Sequence, residues 1–230
     1  MKIGVTERGD AGLDHEWLSQ EDLVDGIILI TKAPQLLKSA PISERTVIHC
    51  TITGYGQTII EPNVLPWKHT VEVYHKLVEK YGGERIVLRV DPVIPTMEGF
   101  NLAKEVVSQA KGRVRISFLD LYWHVRKRFS EVGIEFKWKG THAPLAIRIS
   151  MWEALGKPEI CGEPDMPCTG CVSARDIAAM ELNPADLSGF ESQQRKICAC
   201  IAEKKELLKR CSPCWHDCLY CYWMKKSEEK

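Results

Sequence analysis

The sequence predicts an α/β fold built on a parallel sheet. A (β/α) barrel of the TIM type, open or closed, is the first interpretation and a doubly wound sheet the second. Short β-branched runs alternate with helical patterns over the first two thirds of the chain, which is typical of βα units. The chain has 230 residues, and a slightly trimmed barrel fits, since such barrels usually take about 250 residues. Nine of the ten cysteines follow Ile160, so a cysteine-rich region is expected to complete the fold.

Five apolar runs rich in β-branched residues are predicted as strands. They are KIGVT (2–6), GIILIT (26–31), TVIHCTIT (46–53), RIVLRVDPVI (85–94) and RVRISFLD (113–120). Two stretches with apolar residues at helical spacing, 69–83 and 100–112, are predicted as helices. The first ends on two glycines, as a helix C-cap does.

The composition changes after about residue 155. LGKPEICGEPDMPCTGC (155–171) is rich in Pro, Gly and Cys and predicts a short strand followed by irregular chain. QQRKICACIAEKKELLKRC (193–211) is expected to contain at least one helical turn. We therefore divide the chain into a barrel core, 1–155, and a cysteine-rich region, 156–230, that completes the same domain.

Charge and hydropathy predict a protein that neither inserts into a membrane nor is attracted as a whole to nucleic acid. The formal net charge is zero, so no overall field steers the protein toward nucleic acid, although local patches can do so. The N-terminal segment lacks the apolar core of a signal peptide. No apolar run approaches the roughly 18 residues of a transmembrane helix. A soluble, cytoplasmic protein is expected.

The cysteines predict metal binding. A disulfide framework suits small secreted domains, whereas cysteines crowded in a cytosolic chain more often hold metal. Cys214, Cys218 and Cys221 have the spacing CxxxCxxC. Three thiolates on one loop bind three irons of a [4Fe–4S] cluster and leave the fourth iron open. Cys211 and Cys214 also form a CxxC pair, which keeps zinc as an alternative.

A second group of cysteines predicts a second metal centre. Cys168 and Cys171 form a short chelate, and Cys198 and Cys200 can serve one cluster from an irregular loop. Cys161 or Cys211 could complete that group. The alternative is a set of buried free thiols. Cys50, within a β-rich run, is expected in the core.

The motif CxxxCxYC, with an aromatic residue before its last cysteine, resembles the signature of the radical S-adenosylmethionine (radical SAM) enzymes. CLYCY (218–222) is more distantly similar to the motif of spore photoproduct lyase. The chain also resembles an uncharacterised family that carries a radical-SAM-like cysteine cluster at its C-terminus. The matching pieces are TERGD (6–10), ITKAPQLL (30–37), TITGYGQTIIEPNV (51–64), RVDPVI (89–94), SFLDLY (117–122) and the C-terminal cysteines.

The resemblance implies a partial or permuted (β/α) TIM-type barrel whose cysteine-rich C-terminal region binds iron and sulfur. It implies a [4Fe–4S] cluster on Cys214, Cys218 and Cys221, with S-adenosylmethionine on the open iron and Tyr220 near its adenine. A flavodoxin- or ferredoxin-like reductant is implied as a partner. For the auxiliary cluster the resemblance favours Cys171, Cys198 and Cys200 as ligands, with Cys168 as the fourth.

Polar residues directly after the strand-like runs are candidate ligands for S-adenosylmethionine or substrate. They are Arg8, Arg89, Asp91 and Asp120. In a barrel these positions face the C-terminal mouth, where active sites lie. For any one of them a strand-end cap or a surface ion pair is the alternative.

Residues 111–139 carry eight Lys or Arg against three Asp or Glu, with aromatic residues between them. Basic charge with interleaved aromatics is typical of a surface that binds DNA or RNA. A solvated helix with core aromatics is the alternative. Two other functions stay open: structural zinc sites in a binding or scaffold protein, and an electron carrier with two fully ligated clusters.

Overall fold

The computed structural model describes residues 1–183, 185, 198–209 and 214–223. Its centre is a seven-stranded parallel sheet in the order β6-β5-β4-β3-β2-β1-β7, curled into half of a barrel. This is a mixed α/β fold compatible with a partial TIM-type barrel. The strands are β1 (Lys2–Val5), β2 (Gly26–Thr31), β3 (Thr46–Thr51), β4 (Ile86–Val93), β5 (Val114–Phe118), β6 (Glu159–Ile160) and β7 (Glu203–Glu206).

All five predicted strands are present, and both predicted helices form within a few residues of their expected bounds. The α-helices are α1 (Trp67–Tyr81), α2 (Met97–Val107), α3 (Trp123–Glu131), α4 (Leu145–Ala154) and α5 (Ala174–Ala179). At the end of α1, Gly82 has a φ of 87°, which glycine adopts most readily. Thr96 caps α2 because its hydroxyl accepts a hydrogen bond from the Gly99 N–H at 3.1 Å. Among the described residues, no helix is long and apolar enough to cross a membrane.

The two faces of the sheet are covered differently. On the outer face, alternate strand residues such as Leu29, Ile48 and Leu88 pack under α1 and α2 in the main hydrophobic core. On the inner face, Ile28 and Val87 belong to a second cluster, which residues of the cysteine-rich region cover. The inner face is therefore the one that the predicted metal-binding region meets.

The segment expected to contain at least one helical turn, 193–211, has none over its described residues 198–209, of which 203–206 form β7. This strand pairs with β1, so that Lys2 lies opposite Glu203 and Val5 opposite Glu206. Its sequence, EKKE, lacks the apolar pattern of a strand and is charged, as exposed edge strands often are. Residues 193–197 and 210–211 of that segment lie outside the described residues.

The cysteine-rich region contributes to both edges of the sheet, since β6 pairs with β5 and β7 pairs with β1. A third hydrophobic cluster lies beyond the carboxyl ends of the strands. There Ile60, Leu119 and Phe129 pack with Leu219 and Tyr220 of the C-terminal loop. This packing holds the cysteine loop over the end of the sheet.

Candidate metal and substrate site

A cavity of about 650 Å³ opens at the carboxyl ends of the strands, the usual place for a barrel active site. The five predicted residues other than cysteine all line it: Arg8, Arg89, Asp91, Asp120 and Tyr220. Five of the seven predicted cysteine ligands do so as well: Cys171, Cys198, Cys214, Cys218 and Cys221. The structure thus brings both cysteine groups to one cavity.

The segment that carries CxxxCxxC, residues 214–223 and here called the thiol loop, is tied to distant parts of the chain. His216 Nε2 lies 2.8 Å from Asp10 Oδ2, and both side chains are buried. The Leu219 N–H donates to the Ile60 carbonyl at 3.0 Å. The Asn63 amide donates to the Trp215 carbonyl at 2.8 Å. The motif pieces around residues 6–10 and 51–64 therefore anchor the loop.

Asp10 is the central residue of one anchor. Its carboxylate accepts hydrogen bonds from the Thr31 hydroxyl and the Lys32 N–H, each at 2.6 Å. Burial raises the pKa of Asp10, but the hydrogen bond and charge of His216, with the two donors, bring it below its ordinary value. Asp10 is thus a charged carboxylate that orients the histidine between Cys214 and Cys218.

A buried polar network lies beneath Cys218. Lys32 Nζ lies 3.0 Å from Glu61 Oε1, and Thr53 donates to the other Glu61 oxygen at 2.7 Å. The Tyr220 hydroxyl also donates to Glu61, and Lys32 Nζ lies 5.2 Å from the centre of the Tyr220 ring. Because every charge is paired, this network fixes the Tyr220 ring at the cavity wall without an isolated buried ion.

The Cys218 thiol is buried within this network. Burial raises its pKa to about 12, while Lys32 lowers it and Glu61 raises it. Metal ligation requires a thiolate. A cation bound at Cys218 would therefore displace a proton, and Lys32 is the protein charge that favours this.

The remaining predicted polar residues are paired along the cavity wall. Arg89 pairs with Asp91 and donates to Thr51 Oγ1 at 3.3 Å. Asp91 also accepts from the Ser117 hydroxyl. Asp120 pairs with His142 at 2.9 Å. The Arg8 guanidinium lies 5.7 Å from the centre of the Trp223 ring.

The second cysteine group is in direct mutual contact. Cys171 Sγ lies 3.3 Å from Cys200 Sγ. Cys161 and Cys198 pack against the same inner-face cluster, which contains Cys171 and Cys200. The neighbouring thiols of Cys161 and Cys200 lower the pKa of Cys171 well below its ordinary value. The predicted ligand Cys168 lies apart: its thiol donates to the Glu163 carbonyl at 3.0 Å, away from the cavity lining.

Two ionic groups support this second thiol group. Lys204 Nζ lies 2.7 Å from Glu7 Oε1 and 3.4 Å from Cys171 Sγ. Below it, Arg115 donates to the Cys171 carbonyl at 3.1 Å and is held by Glu159 and Asp176.

Arg113 belongs to the same buried ionic network. Two of the basic residues of 111–139, Arg113 and Arg115, are therefore internal and do not face solvent. Cys50 lies in the main core, as expected.

Among the ionizable groups that sequence reasoning missed, three show what signal the sequence held. Lys32 directly follows β2, so the strand-end rule that selected Arg8 could have found it. Glu163 lies three residues beyond β6, and burial raises its pKa to about 7 although the Phe118 N–H and Arg148 lower it. Glu61 follows no strand, and the only signal for it was its position in 51–64, one of the segments that carry the family resemblance.

Within the described part of the chain, no three His, Cys, Asp or Glu side chains converge as ligands of a single metal ion. The ligands of a [4Fe–4S] cluster need not converge in that way, because each thiolate binds a different iron. Three thiols facing one cavity beside a buried lysine fit such a cluster. Cys211, the other half of the CxxC pair, lies outside the described residues.

The family comparison agrees with the extent of this fold. Residues 15–223 match the family described as "Domain of unknown function (DUF1848)". The chain belongs to the DUF1848 family. No curated protein and no solved structure matches the chain.

Proposed function

We propose that this DUF1848 protein is a radical SAM enzyme. The observation that carries the proposal is the thiol loop: Cys214, Cys218 and Cys221 line a cavity at the carboxyl end of a curled parallel sheet. Three cysteine ligands leave one iron of a [4Fe–4S] cluster open, and an open position is where a metal performs chemistry. When reduced, this cluster would supply the electron that cleaves S-adenosylmethionine to methionine and a 5′-deoxyadenosyl radical, which abstracts hydrogen from substrate.

The residues of the chain bind, orient and exclude water around that chemistry. Cys214, Cys218 and Cys221 hold the cluster. Tyr220, fixed by Glu61, presents its ring to the adenine. Arg89 and Asp91 offer a paired cation and carboxylate to S-adenosylmethionine or substrate. Asp120 and Arg8 occupy the cavity wall on either side.

The sheet order supports a permuted barrel. β7 is the last strand among the described residues, yet it pairs with β1 and not with β6. The thiol loop therefore follows a strand at the edge of the half-barrel, as it does in radical SAM enzymes whose motif follows the first strand. Cutting such a barrel at another loop moves the motif to the end of the sequence and leaves it at the same mouth.

A row of aromatic rings at the cavity rim supports a nucleic-acid base as substrate. Tyr222 and Trp223 line the cavity, and their ring centres are 5.3 Å apart. Tyr222 lies 6.0 Å from Tyr122, which stacks on His124 at 5.9 Å. Trp123 adjoins His124 and is 61% exposed. Stacking of exposed bases on such rings is a common mode of single-strand binding.

Basic residues near Trp123 provide the charge that such a substrate requires. Arg126, Lys127 and Lys139 line a shallow pocket with Trp123, where Glu131 and Glu135 offset part of the charge. Titration of a fluorescent single-stranded oligonucleotide is expected to show binding that Trp123→Ala weakens about tenfold. Lys68→Ala, distant in sequence from this pocket, is the matched control. Equal binding by both variants would contradict the substrate assignment.

The central experiment is anaerobic reconstitution with iron and sulfide, followed by S-adenosylmethionine and dithionite. Formation of 5′-deoxyadenosine with about eight irons per chain is expected if two [4Fe–4S] clusters bind. A colourless, zinc-loaded protein without cleavage would contradict the proposal and favour structural zinc sites. Brown protein that neither binds nor cleaves S-adenosylmethionine would favour an electron carrier. A flavodoxin- or ferredoxin-like protein is the proposed physiological reductant.

A further inference from the structure

We infer that Cys161, together with Cys171, Cys198 and Cys200, forms a second iron–sulfur centre that is fully ligated by cysteine, and that Cys168 is not one of its ligands. The inference rests on the proposal that the chain binds iron–sulfur clusters. It differs from the sequence-based set in one ligand, because Cys161 takes the place of Cys168.

The packing of the inner-face cluster selects Cys161. It follows β6 directly and lines the cavity with Cys171 and Cys198. Cys171 Sγ lies 3.3 Å from Cys200 Sγ, and both Cys161 and Cys198 pack against the cluster that contains these two residues. The four cysteines thus belong to one group, although they come from three separate segments of the chain.

Cys168 is engaged elsewhere. Its thiol donates to the Glu163 carbonyl at 3.0 Å and accepts from the Glu163 N–H at 3.2 Å. Its side chain packs against the main hydrophobic core, whereas Cys171 and Cys200 belong to the cluster on the inner face. Cys168 therefore stabilises the turn between Cys161 and Cys171.

The surroundings of the group suit a negatively charged cluster. Lys204, whose side chain is 4% exposed, reaches to 3.4 Å from Cys171 Sγ and pairs with Glu7. The Cys171 backbone is fixed through Arg115. Buried cations beside thiolates offset the charge that four thiolates and a cluster bring into the interior.

Four cysteine ligands leave no coordination position for another molecule. S-adenosylmethionine and substrate would then bind metal only at the thiol loop. The second centre would face the cavity without binding substrate through iron.

The test compares Cys161→Ser with Cys168→Ser after anaerobic reconstitution with ferrous iron and sulfide. Both are also made in a background in which Cys214, Cys218 and Cys221 are alanine, so that only the second centre remains. The readouts are iron per chain and the electron paramagnetic resonance spectrum of the dithionite-reduced protein. Circular dichroism and 5′-deoxyadenosine formation by the single variants report whether the fold and first centre persist.

Cys168→Ser is expected to keep about eight irons and, in the alanine background, about four irons with the spectrum of the unsubstituted second centre. Cys161→Ser leaves three cysteine ligands, as many as the thiol loop supplies, so its second centre is expected to hold a cluster with one open iron and to show a changed spectrum in the alanine background. A changed spectrum for Cys168→Ser together with an unchanged one for Cys161→Ser would overturn the inference. So would an alanine background that holds no iron at all.

This result is separable from the proposed activity. Wild type that binds about eight irons but yields no 5′-deoxyadenosine would contradict the radical reaction and leave the second ligand set testable in the same variants. Wild type that cleaves S-adenosylmethionine while only about four irons bind would support the reaction and overturn the second centre.

Discussion

The two thiol groups reach the same cavity by different routes. Cys214, Cys218 and Cys221 lie on one short loop, and distant residues hold that loop in place. The second group is assembled from three segments, so that Cys171 and Cys200 meet across 29 residues of sequence. A local motif can be recognised from spacing alone. A non-local one depends on how the sheet folds, and its membership can be decided only after the fold is known.

The largest expected effect sharpens the role of the thiol loop. Cys218→Ser should lower cleavage of S-adenosylmethionine at least about a thousandfold, equivalent to about 4 kcal/mol of barrier. Quantification of 5′-deoxyadenosine measures this. Cys50→Ala is the matched control: it also removes a buried thiol, but from the core, and should cost about 1–2 kcal/mol of stability while cleavage persists. Undiminished cleavage by Cys218→Ser would refute the ligand assignment.

Two substitutions in the polar network beneath Cys218 test how the thiol loop is anchored, without changing a cysteine. Glu61→Gln leaves Lys32 without its buried counter-charge and should lower the free energy of unfolding by about 4 kcal/mol. Tyr220→Phe removes one hydrogen bond from the same carboxylate and should cost about 1 kcal/mol. Urea denaturation measures both. If the two variants were equally stable, Glu61 would not be the residue on which the loop depends.

The base of the second thiol group should be sensitive to acid. Burial and the charge of Arg115 lower the pKa of His49 to about 4, although Asp176 raises it. Between pH 6.5 and about 4 the unfolded chain is protonated at His49 while the folded protein is not. The free energy of unfolding therefore falls as pH decreases from about 6.5 to about 4. The expected loss is about 3 kcal/mol.

Asp176 extends this loss to lower pH. Burial raises its pKa, but hydrogen bonding to His49 and the charges of Arg115 and Arg113 bring it far below its ordinary value. Its contribution is present above the pKa of an unfolded aspartate and is lost as pH falls below about 4. Urea unfolding between pH 7 and 4 should show a slope in the wild type that His49→Gln flattens. An unchanged slope would exclude His49 as the cause.

The smallest expected effect concerns the charge beside the second thiol group. Lys204→Met removes a cation 3.4 Å from Cys171 Sγ. The oxidised form of the second centre should gain relative stability, lowering its reduction potential on the order of 60 mV, about 1.4 kcal/mol for one electron. Redox titration followed by electron paramagnetic resonance measures this shift. Lys205→Met, on the same strand, is the control, and equal shifts would mean that proximity to Cys171 is irrelevant.

The difference between the two groups also explains what sequence could predict. The five apolar strands were visible because each carries a β-branched run, and the cavity residues after them follow from that placement. β7 was missed because its residues, EKKE, are all charged and show no β-branched run, although its backbone pairs with β1. Spacing favours Cys168 over Cys161 as a ligand, because Cys168 and Cys171 form a short chelate. The fold decides between them: Cys161 directly follows β6 and lines the cavity, whereas Cys168 lies in the turn beyond it and packs against the main core.

The pairing of β1 with β7 has a consequence for biosynthesis. Lys2 and Glu203 are register partners, and Asp10 reaches His216 across 206 residues. Contacts of such sequence separation carry a large loop-closure entropy and form slowly. During synthesis, β1 can pair with β7 only after more than 200 residues have been made, and Asp10 can bind His216 only later still. Until then the cysteines lack their final surroundings, so under the proposed function insertion of a cluster would follow the completion of the chain.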